Sequence, residues 1–168
     1  MVHAVTGKKE GVKGFVRRYL DTRNYINEYK DSDGDPRELE RLYRRDRNIV
    51  RYTTMPLATL AAFASYFTPS SQEWTKVGGH VAKGYVASIL GQMAAEKRLK
   101  GLGKYGTGLG TSAAAGAGWE GAQEAGLLSG NFGMDDIGYD MIGGLAGAGL
   151  ENFFDRKMGK VSRLYENE

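Results

Sequence analysis

The stretch GLGKYGTGLGTSAAAGAGWEGAQEAGLLSGNFGMDDIGYDMIGGLAGAGLENFF, residues 101–154, decides the fold. It holds most of the chain's 25 glycines, and no Lys or Arg occurs between Tyr105 and Asp155. Seven acids stand in the same window: Glu120, Glu124, Asp135, Asp136, Asp140, Glu151 and Asp155. Small residues recur three and four apart, first as Gly106, Gly110, Ala114, Ala117 and Gly121, then as Gly143 and Gly147. At that spacing residues lie above one another on a helix. Each set therefore forms a smooth face that a second helix can approach closely. The pattern predicts helix packing and assembly through the faces of 106–125 and 140–150.

Around that centre the chain reads as helices throughout. Two are expected at 108–127 and 135–158, joined by the loop at 129–134, with Asp135 as a cap. Upstream, 74–99 is amphipathic, with Val77, Val81, Tyr85, Ile89 and Met93 in one stripe beside the smaller face of His80, Gly84, Ala87 and Gly91. Lys97, Arg98 and Lys100 close it with cations where the helix dipole favours them, and the glycines from Gly101 make the turn. Residues 52–72 carry no charge and approach the roughly 20 residues that a bilayer span needs. Thr, Ser, Gln, Pro56 and Pro69 dilute them, so a buried helix is the better reading. Pro56 should kink or restart that helix, and Pro69 should end it.

Ahead of it, Asp31, Asp33 and Asp35 match the first ligands of a calcium loop. Pro36 stands where that loop needs Gly, however, and Leu42 where it needs Glu. Asp35 as N-cap, Pro36 at the first helical position and Glu38 in a capping box explain the run better. A further helix is expected over 15–30, behind a loose lead at 1–14. No strand pattern occurs. The fold class is all-α, with about five helices: a basic N-terminal arm (1–51), a bundle with Gly/Ala-rich, close-packed C-terminal helices (52–160) and a polar tail (161–168).

At 168 residues the chain can bury a core, and the absence of Cys excludes disulfides and thiolate metal sites. The net charge of +3 hides a split: residues 1–51 carry 13 Lys/Arg against 9 Asp/Glu, the remainder 10 against 11. Arg37, Arg41, Arg44, Arg45 and Arg51 are the candidate contacts for an anionic partner, a membrane surface or, less favoured, nucleic acid. Interleaved Glu38, Glu40 and Asp46 offer ion pairing within the helix instead. The start lacks the apolar run of a secretory signal, which points to cytoplasmic synthesis.

Catalytic motifs are sparse. His3 lies in the lead, no serine-nucleophile turn or phosphate loop is present, and the only constellation is His80 with Glu120, Asp136 and Asp140. The segments HVAKGY (80–85), GWEGAQEAG (118–126) and DDIGYDMIGGLAGAG (135–149) resemble the VanZ-like family and related small bacterial proteins. Those share a His early in one helix, a Glu midway in another and an Asp-led, Gly-rich last helix. The resemblance covers 76–150. It departs where Thr75-Lys76 replaces the acid usual ahead of the His, and in helices less apolar than true spans. It implies membrane-associated helices packed around polar residues and brings no established reaction. If the four residues converge, they form either a buried hydrogen-bond network, the preferred reading, or a metal site. The composition is also similar to small bacteriophage virion or cell-entry proteins. The function expected from the sequence is therefore non-enzymatic and cofactor-free: a structural protein that associates with itself or a larger complex and contacts membrane. A VanZ-like protein with a His/Glu/Asp site and a nucleic-acid accessory protein are the alternatives.

Overall fold

The computed structural model describes residues 36–67, 73–130 and 132–166. The lead, the helix expected over 15–30 and the Asp35 cap lie outside them. Every element among the described residues is a helix: α1 Pro36–Tyr66, α2 Glu73–Ala95, α3 Leu102–Glu124 and α4 Met134–Glu166. Four helices thus stand where the sequence suggested more, because α1 runs unbroken through Pro56. A proline frees the carbonyl four residues back. Here that residue is Tyr52, and both Tyr52 and Pro56 lie on the exposed side, so no orphan carbonyl is buried. α3 begins earlier than expected, since Gly101 alone (φ 55°) makes the turn and Gly103 and Gly106 are helical. α4 continues to Glu166, which replaces the expected tail with helix; no proline interrupts it. Asp135 belongs to its first turn, and Gly133 precedes it.

The described residues divide into two compact units, one within residues 51–153 and one of the described residues on either side. In the flanking unit Tyr43 meets Phe154 edge-on and donates its hydroxyl to Asp155 at 2.8 Å. Arg47 lies over the Tyr43 ring and pairs with Asp155 at 3.8 Å. Arg44 pairs with Glu40 one turn away, as the interleaved charges suggested.

In the 51–153 unit, successive helices run antiparallel. Arg51 meets Glu96 while Gly79 meets Ser65; Gln92 meets Gly108 while Lys83 meets Trp119; Lys104 meets Glu151 while Glu120 meets Gly133. Glycine permits these approaches. A Cβ on Gly84 would collide with the Asp140 carbonyl, and one on Gly143 with the Val81 carbonyl, so α2 and α4 touch backbone to backbone. Gly147 also packs inward, about 3.0 Å from Tyr85 O for an added Cβ. Gly106, Gly110, Ala114, Ala117 and Gly121, by contrast, are all exposed, and added Cβ atoms at the three glycines would meet nothing.

The side chains reverse the usual distribution. Facing inward on α2 are Gly84, Ser88, Gly91 and Gln92 with a single large apolar residue, Ile89, whereas Val77, Val81, Tyr85 and Met93 of the expected core stripe are only partly covered. Leu57, Leu60, Phe63, Leu90, Ile142 and Leu145 face outward. Hydroxyls bridge the inner faces: Ser88 donates to Gly144 O at 2.9 Å and Ser112 to Asp140 O at 2.6 Å. No helix among the described residues is long and apolar enough to cross a membrane.

At one end of this unit Arg51 is buried and donates to both Glu151 oxygens at 2.6 Å, and Lys104 reaches Glu151 at 3.2 Å. Burial works against the Arg51 charge, but the Glu151 bonds and charge outweigh it and hold the guanidinium above its ordinary range. Arg51 is therefore committed inside the protein and is not a contact for an anionic partner, a correction to the sequence reading.

Two stability outcomes are expected. Gly84→Ala should lower stability by about 1–3 kcal/mol through overpacking, whereas Gly110→Ala should leave it unchanged or raise it by about 0.5–1 kcal/mol through helix propensity; thermal melts of the two variants make the comparison. Arg51→Met, which takes both guanidinium bonds from buried Glu151 and leaves it Lys104 alone, should cost about 3–5 kcal/mol in a denaturant titration. A loss under about 1 kcal/mol would mean the pair is solvated.

Candidate metal centre

The tight crossing that Gly84 permits puts three helices around one point. α2 brings His80, one turn before Gly84; α3 brings Glu120, one turn after Gly116; the first turns of α4 bring Asp136 and Asp140. Gly116 is needed here, since a Cβ on it would come within 2.6 Å of an Asp140 side-chain oxygen. Glu120 and Asp140 are fully buried, Asp136 is nearly so, and the His80 side chain keeps 11% exposure.

One ligand atom each from His80, Glu120 and Asp136 lies within 4.8 Å of the others. His80 Nε2 is 3.5 Å from Asp136 Oδ2, and His80 Nδ1 is 3.4 Å from Asp140 Oδ2. Glu120 Oε2 accepts the Gly133 N–H at 2.7 Å. That N–H is one of the unpaired donors at the start of α4, where the helix dipole also favours negative charge. The structure brings the four residues of the sequence reading into one neighbourhood. Asp140 differs in standing on the far nitrogen of His80, outside the three-residue cluster.

Two cations that the sequence reading left out complete the surroundings. Lys76 Nζ sits 2.7 Å from Asp136 Oδ2, and Lys83 Nζ sits 3.1 Å from Asp140 Oδ2, 3.3 Å from His80 Nδ1 and over the Trp119 ring. The signal was their spacing, four residues before His80 and three after, which shares its helix face. The Asp136 hydrogen bond raises the Lys76 pKa above its ordinary value, against some desolvation. Three buried carboxylates thus meet two lysines.

That leaves atoms unanswered. Glu120 Oε1 and Asp140 Oδ1 are buried and accept no hydrogen bond. An unmatched buried acceptor costs about 1–3 kcal/mol, more when charged, so each calls for a cation, a proton or a water. Ligand atoms about 2.0–2.2 Å from zinc lie roughly 3.3 Å apart in a tetrahedron. His80 and Asp136 already stand near that separation, and the full trio needs to close by about 1.5 Å at most. The donor set of imidazole and carboxylate suits zinc or manganese.

Compared with protein-family models, curated proteins and solved structures, the chain finds no match.

Proposed function

We propose that the chain is a divalent-metal-binding helical module, with His80 Nε2, Glu120 and Asp136 as the protein ligands. The observation that carries the reading is the buried, unpartnered Glu120 Oε1 in a cluster whose ligand atoms already converge within 4.8 Å. The surroundings support it. Asp140 beside Nδ1 completes a carboxylate–histidine arrangement of the kind that fixes the tautomer and orientation of a ligating imidazole. Gly133 N–H fixes Glu120 in the same way. Three protein ligands leave coordination positions for water, as in sites where a metal activates water rather than serving only as a structural clamp. Lys76, with a side chain 62% exposed, is the group that yields Asp136 to an incoming ion.

Calorimetric titration with zinc and manganese tests the reading. One ion per chain is expected. His80→Ala and Glu120→Gln should weaken binding by more than about a hundred-fold, and Asp140→Asn, acting through His80, by about 10–100-fold. Lys76→Met should tighten it, because a competing cation is gone. Absence of binding by a folded protein, or weaker binding by Lys76→Met, would leave the cluster as the hydrogen-bond network that the sequence also allowed.

A second reading, self-association as a structural component, is favoured by the outward stripe of Gly106, Gly110, Ala114, Ala117 and Gly121. Close helix contact between copies would use such a face. Sedimentation of wild type and Gly110→Leu tests it: an assembly lost in a variant that stays folded is the expected result.

A further inference from the structure

We propose that the turn between α2 and α3, residues 97–102, is a docking tip for a bilayer surface bearing anionic headgroups. The sequence there is Lys97-Arg98-Leu99-Lys100-Gly101-Leu102. Lys97, Arg98 and Lys100 are all exposed. None of the three pairs with a carboxylate among the described residues. The neighbouring acid, Glu96, is turned inward onto Arg51 at 3.1 Å. The tip therefore presents three uncompensated positive charges.

Two leucines stand among them. Leu102 is 88% exposed and Leu99 is 42% exposed. The backbone holds this arrangement: Leu99 N–H bonds back to Ala95 O at 2.8 Å, and Gly101 at φ 55° reverses the chain so that Tyr105 N–H reaches Gly101 O at 3.2 Å. Leu99 lies against Gly103, with an added Cβ there 3.7 Å away. Leu90 and Ala94 on α2 and Gly106 and Gly110 on α3 are also exposed. From Tyr105 to the end of α3 no Lys or Arg follows, so on α3 positive charge stops before Tyr105.

Charge complementarity chooses the occupant. Cations around exposed leucines match an interface where headgroup phosphates meet the upper acyl chains: the cations stay at the phosphates and the leucines leave water. A nucleic-acid backbone would satisfy the cations but leave both leucines wet. The tip shares no residue with the arginines of α1 or with the metal cluster, so neither reading bears on it.

The test is flotation of the full chain with vesicles of phosphatidylglycerol and phosphatidylcholine, and with phosphatidylcholine alone, at low and high salt. Binding to the anionic vesicles is expected, falling with salt. Each of Lys97→Gln, Arg98→Gln and Lys100→Gln should lower partitioning about five-fold, and the Leu99→Ser/Leu102→Ser pair roughly ten-fold or more. All five positions are exposed, and circular dichroism melts should match wild type. Three results would overturn the proposal: no flotation, equal binding to neutral vesicles, or tip variants that bind like wild type while Arg41→Gln/Arg44→Gln/Arg45→Gln loses binding. So would tighter binding to a DNA duplex than to the vesicles at the same salt.

Discussion

Everything in the 51–153 unit follows from α2 and α4 meeting backbone to backbone. Two helices reach that separation only where neither carries a Cβ at the contact, and Gly84 and Gly143 supply the two bare positions. Once the backbones touch, little room is left for large apolar side chains between them. The space is filled instead by Ser88, Ser112 and Gln92, whose short polar groups bond to carbonyls and to one another. Dispersion between close backbones and cross-helix hydrogen bonds replace the hydrophobic packing that ordinarily holds a bundle together.

A polar interior sets a second condition. Charges taken out of water must be matched, since a stranded one is strongly destabilising. At the end near the α2–α3 turn, matching is complete: Glu151 receives Arg51 in bidentate fashion and Lys104 beside it. At the other end it is incomplete, because Glu120 Oε1 and Asp140 Oδ1 have no partner. The contrast between two buried acid clusters in one small unit gives the His80 end its functional reading. The same fold satisfies one fully and leaves the other with two unanswered acceptors.

Much of this was legible in the sequence, and the boundary has physical causes. Helical class followed from small-residue spacing and the lack of any alternating pattern. His80, Glu120, Asp136 and Asp140 stood out as one constellation of a histidine and acids spread over three helices. The partners of Arg51 were not legible, because Glu151 lies a hundred residues away and only the antiparallel return of α4 joins them. Arginine and glutamate look like surface residues until the fold encloses them. The small-residue stripes shared one pattern yet have opposite fates, Gly143 and Gly147 inward and Gly110 and Gly121 outward. Spacing defines a face, and only the neighbouring helices decide which way it points. Pro56 misled for a related reason: its cost depends on whether the freed carbonyl is buried, which is a tertiary fact.

Anomalous diffraction at the zinc edge, from crystals grown with zinc, would show whether this bundle gathers three ligands for one ion. One strong peak per chain is expected, bounded by His80 Nε2 and by carboxylate oxygens of Glu120 and Asp136, with Lys76 withdrawn from Asp136. Peaks at surface positions only, with Lys76 still on Asp136 and the cluster unchanged, would contradict it.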